Sequence, residues 1–163
     1  TMNTVAKDAK AKVEFYDGIE EYRLIGYENK LITVEEFEDE NTDAGELGAG
    51  LAVTALYEVK LSENAGGNLA EITVKYKTPS EGINKESALT VESSAYSAVP
   101  DSDAVFISCV AEFGLILRNS AYKGKASISS VIERLNGLPG IEEDPYKNEF
   151  KSLVISASEI YIQ

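Results

Sequence analysis

The stretch LAEITVKYK at 69–77 places Ala70, Ile72, Val74 and Tyr76 on one side of the chain and Glu71, Thr73, Lys75 and Lys77 on the other. A period of two is the mark of a β-strand with one apolar and one wet face. Val53, Ala55, Tyr57, Val59 and Leu61 repeat it just upstream, and SENAGGN at 62–68 supplies turn residues between the two. The pair therefore reads as an antiparallel hairpin with a longer loop. KVEFY at 12–16, EYRLIGYE at 21–28 and a segment from Ser87 to Ser97 add further strands.

After Pro100 the period changes to that of a helix. Phe106, Cys109, Phe113 and Leu117 recur at helical spacing in AVFISCVAEFGLIL, with apolar residues on most other faces as well, so this helix is expected to be largely buried. Ser127 can cap a second helix whose stripe is Ile128, Val131, Ile132 and Leu135, ended by Gly137 and Pro139. Asp144 and Pro145 supply the cap and first turn of a third, with Tyr146, Phe150, Leu153, Val154, Ala157 and Tyr161 expected on one side. Strands first and helices afterwards give an α+β class: an antiparallel sheet or sandwich of about five strands, followed by about three C-terminal helices packing on it.

Composition narrows the chemistry. The formal net charge is −13, a surface that repels nucleic acid phosphates and anionic lipid. With no histidine, the chain lacks the usual general base at neutral pH and any imidazole metal ligand. Cys109, the single cysteine, lies in the apolar run and reads as a buried structural thiol. That run is broken by Glu112 and is too short to span a bilayer, which takes about 20 residues.

The sharpest chemical signal is EDENTDAGELGAG at 38–50. Asp39, Asn41 and Asp43 carry oxygen ligands at alternate positions, as in a calcium loop. The sixth and twelfth positions of such a loop, a glycine and a bidentate glutamate, are here Ala44 and Gly50. The preferred reading is a solvated acidic loop, with cation binding as the rival. Tyr22, Tyr27, Tyr57 and Tyr76 would close a sheet face, or form a carbohydrate platform in a second version of the same rival. Ser120 and Lys123 match the S-x-x-K spacing of a serine–lysine hydrolase, but Ser120 follows a helix end instead of opening one. Nucleotide-binding glycine motifs are absent, so no cofactor is expected.

EYRLIGYENK at 21–30, FEDENTDAGELGAGLAVTALYEV at 37–59 and AEFGLILRNSAYKG at 111–124 together resemble an uncharacterised bacterial domain that follows a von Willebrand factor type A domain in secreted or lipid-anchored proteins. Leu51 stands where the family pattern carries histidine, and Lys30 where it carries arginine. The resemblance implies that residues 1–10 lead out of an upstream type A domain and that residues 11–163 form a single accessory domain. The chain is then expected to be a piece of a longer precursor. It also implies structural roles for Tyr22, Arg23, Gly26 and Tyr27 in the first segment, for Asp43, Gly45, Glu46, Gly48 and Gly50 in the second, and for Phe113, Gly114 and Arg118 in the third. The function it implies is a non-catalytic module of a cell-envelope protein, supporting protein–protein contacts. Its partners would be the type A domain and an unknown protein, with weak self-association of the fragment through a sheet edge.

Overall fold

The computed structural model describes residues 3–26 and 31–161. The expected Tyr27 falls outside them, as does Lys30. The chain divides into two compact units, Thr1–Tyr96 and Ser97–Gln163, one built of strands and the other of helices. The class is α+β, with six strands and three C-terminal helices among the described residues.

In the strand unit, β1 (Thr4–Phe15), β2 (Ile19–Ile25), a five-residue helix α1 (Val34–Glu38), β3 (Gly45–Gly48), β4 (Leu56–Leu61), β5 (Asn68–Lys77) and β6 (Asn84–Glu92) follow in order. They form a four-stranded sheet, β3-β1-β5-β6, and a two-stranded one, β2-β4. All pairs are antiparallel. Residues 4–10, expected to lead in from another domain, are part of β1 and pair with β3 and β5.

The β4–β5 hairpin does not form. β5 has β1 on one side and β6 on the other, while β4 pairs with β2. Alternation shows that a segment is a strand, but it carries no information on which distant segment completes the ladder. Phe15 helps to select the arrangement: its ring centroid lies 4.3 Å from that of Tyr22 and 5.4 Å from that of Tyr57. Across β2–β4, Arg23 faces Glu58 and donates to its Oε2 from Nε at 3.1 Å.

The helical unit contains α2 (Ser102–Leu117), α3 (Ile128–Asn136) and α4 (Pro145–Tyr161). α3 and α4 begin as the sequence indicates. Ser127 Oγ accepts from Ser130 N at 3.1 Å, and Asp144 Oδ1 accepts from Tyr146 N at 3.0 Å. Asp101 caps α2 by accepting from Ala104 N at 2.8 Å. The core gathers Cys109, Phe113 and Ile116 of α2, Ile128, Val131 and Leu135 of α3, Leu138 and Ile141 of the connection, and Val154 of α4. Phe150 sits edge-on to both Phe106 and Phe113, at 5.5 and 5.8 Å. Glu112, the break in the apolar run, accepts from Ser130 Oγ at 3.0 Å and pairs with Arg134 of α3.

Two helical expectations need correction. Tyr146 is 83 % exposed and Leu153 57 %, so the packed stripe of α4 is narrower, with Val154 buried and Phe150 and Ala157 half-buried beside it. Residue 153 is one position, about 100° of helical rotation, from the buried residue 154. Leu117, at the end of α2, is also exposed. No described helix is long and apolar enough to cross a membrane.

Candidate functional site

The polar face of the four-stranded sheet gathers charged groups from two neighbouring strands. Lys10 faces Lys75 directly across β1–β5, and Lys7 faces Lys77. Like charges opposed in a ladder destabilise it, so the less exposed Lys10, Lys75 and Lys77 need partners. The partners come from residues 33–43, a strap leading into β3 and built around α1.

A capping box starts α1. Thr33 Oγ1 accepts from Glu36 N at 3.1 Å and Glu36 Oε2 accepts from Thr33 N at 2.7 Å. The T-V-E-E signature at 33–36 announces it in the sequence. The helix turns Phe37 inward to 3 % exposure. Lys75 Nζ lies 4.6 Å and Lys12 Nζ 5.2 Å from the Phe37 ring centroid, within the range of cation–π attraction.

Around that ring the ammonium groups fasten the strap. Lys10 Nζ donates to the carbonyls of Glu36 and Asp39 at 2.9 and 2.5 Å. Lys75 Nζ reaches Glu38 Oε2 at 2.5 Å. Lys77 Nζ bonds the Glu40 carbonyl at 2.7 Å and Asp8 Oδ2 at 2.8 Å. Asp8, at φ 50°, sits where the β1 register breaks. The bond from Lys77 is the main cause of a lowered Asp8 pKa, and the bond from Lys75 the main cause of a lowered Glu38 pKa.

The face expected to be wet is therefore covered. Lys10 is 7 % and Thr73 8 % exposed. Lysine stems can lie under the strap because their charged ends reach its carbonyl and carboxylate oxygens. A cleft of ≈ 240 Å³ remains beside the strap, lined among others by Phe37, Tyr76, Lys85 and Glu86.

The strap uses the Asp39 carboxylate, one of the groups that suggested a cation loop. Asp39 Oδ1 accepts from Asn41 N at 2.9 Å and Asn41 Nδ2 at 3.2 Å, and the backbone bond leads in lowering the Asp39 pKa. Asn41 thus turns a donor towards Asp39, whereas joint cation ligands would converge their oxygens. Asp43 is exposed ahead of β3. Among the described residues, no group of three or more Asp, Glu, His or Cys could hold a metal ion.

The remaining expected residues lie apart. Gly45, Glu46 and Gly48 form β3, and Gly45 and Gly48 pair with Ala9 and Thr4 of β1. Gly50, at φ 79°, makes the turn after β3, and Gly26, at φ 94°, follows β2; both conformations favour glycine. Phe113 is in the helical core. Gly114 is half-buried, with nothing within 4 Å of where a Cβ would stand. Arg118 caps α2, after which Asn119 at φ 49° donates to Ile116 O and Ser120 N to Leu115 O. This is a Schellman-type stop. Lys123 Nζ bonds Asn119 Oδ1 at 2.7 Å, and Ser120 Oγ accepts from Tyr122 N at 3.2 Å. The serine and lysine thus close a helix end, each with another partner. Tyr22 and Tyr57 gather on Phe15, while Tyr76 lines the cleft.

The family model described as "Uncharacterized protein YfbK, C-terminal" matches residues 1–160. The chain belongs to this family. It is 32% identical over 173 residues to the uncharacterized protein YfbK of Escherichia coli (strain K12), an alignment that takes in 93% of this chain and 29% of that protein. The chain thus spans less than a third of the length of the curated relative it matches. No solved structure matches it.

Proposed function

We propose that this chain is a non-catalytic accessory module of a cell-envelope protein, acting beside a von Willebrand factor type A domain in the same polypeptide and supporting its protein–protein contacts. The observation that carries the reading is the employment of the candidate polar groups. The acidic run is fastened to Lys10 and Lys77 through the carbonyls of Asp39 and Glu40 and to Lys75 through the Glu38 carboxylate, and Ser120 and Lys123 are committed to a helix stop. The family match supports a module within a longer protein, and the resemblance of residues 21–30, 37–59 and 111–124 supports the type A neighbour. A charge of −13 favours protein surfaces over phosphate or anionic lipid as partners.

Separately purified type A domain of the same protein, titrated with this chain in a calorimeter, tests the reading. Saturable binding, with cross-links between the two in the full-length protein, is expected. Lack of both would overturn the type A association. A hydrolytic activity abolished by Ser120→Ala would overturn the non-catalytic assignment, and recovery of the full-length protein in the cytosolic fraction of cells would overturn the envelope location.

A further inference from the structure

The outer edge of β6 is the longest strand edge in the four-stranded sheet without a partner among the described residues. Its register with β5 runs unbroken from Asn84 to Val91. Eight of its nine residues are exposed, and it contains no proline. The opposite edge, β3, has four residues and two register breaks. Short, interrupted edges protect a sheet from further pairing, whereas long regular ones invite it.

The direction of the free backbone groups follows from the hairpin turn. Thr78 N donates to Ile83 O at 3.0 Å, which makes Thr78 and Ile83 a bonded pair. Antiparallel alternation then commits Lys85, Ser87 and Leu89 to Tyr76, Val74 and Ile72 of β5. It leaves the N–H and C=O groups of Asn84, Glu86, Ala88 and Thr90 pointing away from β5.

We propose that this edge pairs with β6 of a second copy, antiparallel about a two-fold axis at Ala88. Residues that face each other across such an axis share the same outward parity, so few registers qualify. Centring on Glu86 sets that carboxylate against its own copy, and the register that pairs Ala88 with Thr90 sets Glu86 against Glu92. Centring on Ala88 uses the whole strand: Ala88 meets Ala88, Glu86 meets Thr90, Asn84 meets Glu92 and Lys85 meets Val91. No like charges are opposed. The strand is thus self-complementary in its longest register, and this holds whether or not the chain has an accessory role. The contact is one ladder between molecules of charge −13. It is therefore weak, and it strengthens as added salt shortens the screening length from about 30 Å at 0.01 M to about 8 Å at 0.15 M.

Sedimentation of the 163-residue chain over a concentration series, at both salt levels, tests the pairing. Dimers that increase with concentration and with salt are expected. Ala88→Pro removes an outward N–H without touching a bond to β5 and should abolish them at an unchanged unfolding midpoint. Thr90→Glu places a carboxylate against Glu86 twice per dimer and should weaken association roughly 2- to 25-fold, while Thr90→Lys should strengthen it. A chain that stays monomeric throughout would overturn the proposal. So would dimers that survive Ala88→Pro, equal effects of the two Thr90 variants, or an edge that accepts only a strand from a different protein. If Ala88→Pro lowers the unfolding midpoint, the opposed Thr90 pair still decides.

Discussion

Lys10→Met removes the ammonium that joins β1 to two strap carbonyls and retains most of the side-chain stem. Each bond from a charged donor is worth about 1.5–3 kcal/mol, so the two set an upper limit of roughly twice that. Two effects reduce the loss. Lys10 is only 7 % exposed, so its replacement also removes the desolvation cost of a buried cation. It further relieves the opposition of Lys10 and Lys75 across the ladder, worth a fraction of a kcal/mol. The net expectation is a destabilisation of the strand unit by about 1.5–3 kcal/mol. Urea unfolding followed by tyrosine fluorescence measures it, with the helical unit read separately because the two need not unfold together. Hydrogen exchange gives the local view: the amides of Phe37 and Asp39, bonded within the helical turn to Thr33 and Glu35, should lose protection before the β1–β5 ladder does. A stability change under about 0.5 kcal/mol with strap protection intact would refute the fastening role.

Phe113→Ala, at 4 % exposure in the helical core, should cost on the order of 3–5 kcal/mol in the helical unit; a midpoint near that of the parent chain would place Phe113 outside the core. Acid should release the strap. Asp8, Glu38 and Asp39 have lowered pKa values in the folded chain, so their contribution is present above the unfolded carboxylate range near about 4 and is lost as pH falls through the folded values. Strap protection, taken relative to the intrinsic exchange rate at each pH, that stays constant from pH 6 to roughly pH 3 would contradict those partners.

The parts legible in the sequence are those fixed by neighbours along the chain. Ser127, Gly137, Asp144 and Pro145 mark helix ends because caps act within one turn. The stripe Ile128, Val131 and Leu135 marks a buried face because its spacing repeats. β5 announces itself by alternation, yet its choice of β1 over β4 rests on contacts more than fifty residues apart. The lysine face misled for a related reason. Lys75 and Lys77 alternate as wet-face residues do, and only the return of residues 33–43 over them turns that face into a covered one. The Thr33–Glu36 capping box and Phe37 were readable signals of an ordered helical turn there, though nothing local reveals which lysines receive it.

Calorimetric titration of the chain with calcium tests most directly whether the acidic run is a strap fastened to lysines or an ion site. With Asp39 bonded to Asn41 and Glu38 to Lys75, no saturable heat is expected at micromolar to millimolar calcium, and the strap's exchange rates should not change. Saturable binding in the micromolar range that disappears when Asp39→Asn and Asp43→Asn are combined would contradict it.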